Sequence, residues 1–178
     1  MRAFVGAWLS LVERFVRDEE VARSNRVAPT ISPHPGTLRN TSSRLFSKFS
    51  AASRRILRAA EQECRNHNHY YVGAEHLLVA LLEEQDAAVL ARLRTDGIDA
   101  SDAHAQLRRA LGTGEDRTWE GILVTPRVRK IVSLAEEQAG EGDIEPLDLY
   151  EALRAEGGSL AAEVLRRVAV RNPATATE

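Results

Sequence analysis

Cys64, His67, His69 and His76 stand close together in the sequence, and side chains of these types either ligate metals or pair for nucleophilic attack. Their spacing suits neither chemistry. A zinc site wants paired Cys or His on short, matched turns, a pattern these four do not follow. Cys64 also falls on the inward stripe of a predicted helix, where a thiol packs as a small apolar group and stays inert. The run Asn66-His-Asn-His69-Tyr70-Tyr71 reads as an inter-helix connection whose side chains are solvated, cap a helix or line a groove. His76 reads as a packed or capping histidine. Phosphate-loop chemistry is missing as well. No G-x-x-x-x-G-K-[ST] occurs, and the nearest glycine cluster, Gly112-Thr-Gly114-Glu, lacks the lysine that meets β- and γ-phosphates. The chain is therefore expected to be no enzyme, with no cofactor and no metal.

The remaining chemistry is that of recognition. Ser50 and Thr125 stand at helix starts, where a hydroxyl accepts from an amide of the first turn. Glu75 falls in the first turn of another helix, a position the helix dipole favours by roughly 0.3–1 kcal/mol whatever its function. Arg54, Arg55 and Arg58, with Arg127, Arg129 and Lys130, make two basic helix starts. They are either solvated charge or the face shown to an acidic partner or a partner's phosphate. The alternative function that this basic charge suggests is a nucleic-acid-associated transcriptional regulator. Twenty-four Lys and Arg against twenty-six Asp and Glu argue against it, because nucleic-acid binders usually carry a basic excess.

The elements that must position these residues repeat. Residues 50–93 and 125–168 read as two copies of one helical unit, offset by 75 positions at Ser50 and Thr125 and again at Leu90 and Leu165. Between those points Glu75-His76-Leu77 lines up with Leu147-Asp148-Leu149. In the first copy, Ser50 caps a helix whose inward stripe is Ile56, Leu57, Ala60 and Cys64. Further helices follow over about 74–84 and 87–94, then one capped by Asp99 or Ser101 and ending near Gly112. Residues 112–124 read as the inter-repeat loop. Thr125-Pro126 opens the second copy as an N-cap followed by proline at the first helical position. Its helices are expected at about 126–139, 146–155 and 160–169, with the fourth missing or very short. Alternating apolar patterns are almost absent. The expected fold is all-α: two pseudo-repeats of a roughly four-helix unit, the second truncated.

Ahead of the repeats, Phe4, Val5, Trp8, Leu9, Leu11, Val12, Phe15 and Val16 mark an amphipathic helix over 1–23. A Pro- and Ser-rich flexible linker spans 24–45. The helix reads as a partner-docking element, a surface-seeking membrane helix or upstream sequence without a role. The double-repeat domain covers 46–170, with repeat one at 46–112 and repeat two at 124–169, and 171–178 is an expected disordered tail. No run reaches the roughly 18 apolar residues of a membrane span. A lone cysteine suits a reducing compartment, so a cytoplasmic location is expected.

Phe46-Ser-Lys-Phe49-Ser50, Tyr71-Val-Gly73-Ala-Glu75-His76-Leu77-Leu78 and Val124-Thr125-Pro126-Arg127 together resemble the N-terminal domain of Clp ATPases. The nearest branch is ClpC, whose domain begins Phe-x-x-Phe-Thr and repeats Gly-Thr-Glu-His-Ile-Leu. The resemblance spans about residues 46–169. It implies a protein-binding module that recognises client or adaptor proteins and serves a Clp ATPase or protease. Without an ATPase engine, the chain resembles a stand-alone adaptor, regulator or decoy. In ClpC relatives each copy can hold phosphorylated arginine: a glutamate pairs with the guanidinium, and hydroxyl and amide groups at a nearby helix start meet the phosphate. The matching positions are Ser50 and Glu75 in copy one, and Thr125 and Leu147 in copy two. A leucine cannot pair with a guanidinium, so at most one pocket survives, expected in copy one. Family cyclic-peptide antibiotics use aromatic residues near the repeat starts; Phe46 fits that role, while Val124 stands where a Phe is usual. The candidate partner-binding residues are Ser50, Glu75, Phe46, Phe49 and Thr125.

Overall fold

The computed structural model describes residues 48–114 and 123–171. The expected N-terminal helix, the linker, Phe46 and the tail beyond Arg171 lie outside them. Seven helices occur among the described residues: α1 Ala51–Asn66, α2 Ala74–Glu84, α3 Ala87–Thr95, α4 Ala100–Leu111, α5 Pro126–Ala139, α6 Pro146–Glu156 and α7 Leu160–Arg171. Their starts follow the caps. Ser50 Oγ accepts from Ser53 N at 3.2 Å, Asp86 from Ala88 N and Val89 N, Asp99 from Asp102 N, and Thr125 Oγ1 from Val128 N at 3.4 Å. Each bond satisfies an amide that the first helical turn leaves without an intrahelical partner. Helix α2 stops at Gln85 and α6 at Gly157, both left-handed at φ 53° and 67°. A glycine accepts that conformation without the β-carbon clash that the glutamine bears.

Helix α2 carries apolar residues nearly all round, and from Ala74 to Leu82 only Glu75 escapes burial. It is accordingly the axis of the fold, packing against each of the other six helices. Helices α1 and α2 run antiparallel, as do the ends that fix them. Arg55, in the second turn of α1, pairs with Glu84 at the end of α2, and Cys64 Sγ near the end of α1 donates to the Tyr71 carbonyl just before α2. In the second half α5 packs against α6, and Arg127 pairs with Glu156 at 2.9 Å in the corresponding way.

One feature departs from a purely helical reading. Tyr71–Val72 (β1) and Leu123–Val124 (β2) form a two-stranded parallel pair, with Tyr71 opposite Leu123 and Val72 opposite Val124. Residues 123 and 124, expected in the loop between repeats, thus belong to this pair. A single parallel bridge joins Phe49 to Ile144. The two junctions share one form: Thr125 N donates to Val72 O at 3.1 Å, and Ser50 N donates to Ile144 O at 3.1 Å. The segment that opens each half therefore pairs with the segment before the second helix of the other half.

Candidate functional site

This exchange decides which candidate residues meet. Directly after β1 comes Gly73, the N-cap of α2, and directly after β2 comes Thr125, the N-cap of α5. The N-termini of α2 and α5 therefore lie side by side. Two such ends offer partial positive charge to an anion. Glu75 belongs to this junction. Ser50 belongs to the other one, beside Ile144 and the Glu145 N-cap of α6. Glu75 precedes Glu84 by nine residues, about 13 Å along the helix axis, and it is Glu84 that the start of α1 reaches. The hydroxyl that caps the helix beside the start of Glu75's helix is that of Thr125, from the other half, while Ser50 pairs with Ile144.

Glu75 is half-buried and curls back over the N-cap of its own helix, one carboxylate oxygen lying 2.3 Å from where a β-carbon on residue 73 would stand. Glycine at 73 makes room for it. Among the described residues the carboxylate has no hydrogen-bond or ion-pair partner. Arg129 stands one turn into α5, and its Nη2 donates to Val124 O at 3.4 Å, which brings the guanidinium back to the Thr125 cap. Sequence reasoning counted Arg129 only among basic helix starts. Its i+4 spacing from Thr125, which puts both on one helical face, is the signal that could have singled it out.

The α2 cap is held by a relay of histidines. Gly73 N donates to His76 Nδ1 at 3.0 Å, so the proton of neutral His76 sits on Nε2 and is donated to His69 Nδ1 at 2.8 Å. Burial, and after it the neighbouring His69 and His67, push the His76 pKa down to about 4. The His69 pKa is lowered too, first by burial and then by His67. His67 turns away to the Gly112 carbonyl and to Glu63, which also accepts from Arg108 at 2.6 Å. Asp148 does in α6 what His76 does in α2, accepting from Glu145 N at 2.8 Å. Cys64 is fully buried, and burial raises its thiol pKa to about 12, so it has no nucleophilic character at neutral pH. Among the described residues no cluster of three or more metal-ligating side chains forms.

The second junction is chemically poorer. Leu147 stands at the Glu75 position and packs on the core, while Asp143 and Glu145 add negative charge nearby. Phe49 is a core residue, 8% exposed, which leaves it little surface for a partner. Most of the basic helix starts are not open charge either: Arg55 and Arg127 are ion-paired within the fold, Arg54, Arg58 and Arg129 have partners as well, and Lys130 is exposed.

The chain belongs to the family of Clp repeat N-terminal domains, whose model matches residues 48–142, more than half of the sequence. It is 27% identical over 172 residues to a chloroplastic Clp protease ATP-binding subunit, the ClpA homolog CD4B of Solanum lycopersicum, covering 94% of this chain and 19% of that one. With the chloroplastic chaperone protein ClpC of Pisum sativum it shares 28% over 127 residues, covering 70% of this chain and 14% of the relative. The chain thus spans a fifth or less of the length of these curated relatives. A solved structure from "Preliminary structural investigations of a malarial protein secretion system" has the same fold, with a TM-score of 0.57 and 18% identity over 72% of this chain and 89% of that one. No helix among the described residues is long and apolar enough to cross a membrane.

Proposed function

We propose that this chain is a non-catalytic recognition module of a Clp proteolytic system, an adaptor, regulator or decoy that binds client or adaptor proteins. Its ligand site is the junction of α2 and α5, and the group bound there is a phosphorylated arginine. The observation that carries this reading is the Glu75 carboxylate at the start of α2, without a hydrogen-bond or ion-pair partner among the described residues, next to the start of α5 with its Thr125 hydroxyl and Arg129 guanidinium. Phosphoarginine presents a cation and an anion on one side chain. A carboxylate matches the guanidinium fork bidentately, and paired helix N-termini with a neighbouring guanidinium match the phosphate. The second junction, with Leu147, lacks the carboxylate and serves as scaffold.

Calorimetric titration with a phosphoarginine peptide tests the reading. Glu75→Ala should weaken binding at least tenfold, since a buried charge-assisted pair contributes about 1.5–3 kcal/mol, whereas Leu147→Ala should leave it unchanged. Absence of binding by the unmutated chain would eliminate the phosphoarginine reading. Of the arginines on which the nucleic-acid alternative relies, Arg55 and Arg127 are ion-paired within the fold.

A further inference from the structure

Tyr70, Tyr71 and Leu123 are the large apolar side chains left exposed among the described residues, at 45%, 42% and 59%. They form one patch. Tyr71 stands opposite Leu123 across the strand pair, and the Tyr70 ring meets Tyr71 edge-on with centroids 5.7 Å apart. The His69 ring lies parallel to Tyr71, centroids 5.9 Å apart and planes within 2°, and is itself anchored by the hydrogen bond from His76. The Tyr71 ring is therefore held in place through the cap of α2. Tyr71 lies two residues before Gly73, over which the Glu75 carboxylate curls, so the patch and the carboxylate flank the same helix start. Contiguous exposed aromatic surface beside an unpaired charge is a recurrent mark of an interaction site.

We infer that Tyr70, Tyr71 and Leu123 form a specificity subsite for an aromatic side chain that flanks the arginine bound at Glu75. This rests on the arginine reading of the α2–α5 junction and adds to it a preference in the client sequence. Glu75 selects the cation by charge, and the patch selects its neighbour by shape. A fixed ring with a second ring set edge-on offers both the stacked and the T-shaped geometry that aromatic pairs favour. Residues flanking a bound arginine in an extended peptide are separated by roughly 3.3 Å per residue, so a side chain within two positions of the arginine falls within reach of the patch.

The test uses the full chain and dye-labelled phosphoarginine peptides that differ only in carrying Trp or Ala beside the arginine, read by fluorescence anisotropy. The Trp peptide should bind about threefold to tenfold tighter than the Ala peptide, the range expected of one aromatic pair. Tyr71→Ala should erase that preference while the Ala peptide keeps its affinity. Leu123→Ser, on the opposing strand, should reduce the preference and guards against a fold defect peculiar to Tyr71→Ala. Equal affinity of the two peptides, or a preference that survives both substitutions, would overturn the subsite and leave the arginine reading standing. Failure of every peptide to bind would remove the arginine reading, and the subsite with it.

Discussion

At the scale of single residues, the decisive contrast is between Glu75 and His76, neighbours with opposite duties. Glu75 points to the surface and has no partner among the described residues, whereas His76 is buried and caps the helix that carries Glu75. His76 can accept from Gly73 only while Nδ1 is unprotonated. Its folded pKa, about 4, lies below the ordinary 6.5. Between these values the unfolded chain binds the extra proton and the folded chain does not, so stability rises with pH across this window. The stabilisation is complete above about pH 6.5 and is lost progressively as the pH falls toward 4, by roughly 3 kcal/mol for a displacement of this size. The lowered His69 pKa acts with the same sign. Urea denaturation at a series of pH values should show this decline. His76→Asn, which keeps an acceptor but cannot titrate, should be less stable at pH 7 and decline less steeply; an equally steep decline would contradict the relay.

At the scale of elements, the caps explain both what the sequence disclosed and what it concealed. The helix over 74–84 begins after Gly73 and ends at Gln85, and the helix over 126–139 begins after Thr125 and ends at Gly140. Both agree with the expected bounds, because N-caps, proline and glycine act within one turn of their own position. Adjacency between elements is another matter. Matching Ser50 to Thr125 along the chain says that the two are equivalent, not what either one touches. The two-residue pairings that set the contacts, Val72 with Val124 and Phe49 with Ile144, are too short to leave an alternating pattern. The proposed site gives Ser50 and Thr125 different roles. Ser50→Ala and Thr125→Ala each remove an N-cap and should each cost about 1 kcal/mol in thermal or urea unfolding. Only Thr125→Ala should weaken phosphoarginine-peptide binding; equal weakening by Ser50→Ala would show that the site lies elsewhere.

At the scale of the whole molecule, the two halves share one core and one pair of crossed junctions. Helix α2 packs against helices of both halves, and Tyr150 of α6, fully buried, donates to Asp96 at the end of α3 at 3.3 Å. Arg154 of α6 pairs with the same Asp96 at 2.9 Å. The two halves therefore do not stand in series as separate units. Each junction takes its cap hydroxyl from one half and its second helix from the other, and the two differ in carrying Glu75 or Leu147. The proposed site is therefore shared between the halves. The most direct measurement is an NMR titration of the isotope-labelled chain with a phosphoarginine peptide, following backbone amides. The amides of Gly73–Leu77 and of Thr125, Arg127, Val128 and Arg129 should shift together along one binding curve, while those of Ser50–Ser53 stay in place. Shifts confined to Ser50–Ser53 and the start of α6, or to α2 without α5, would contradict it.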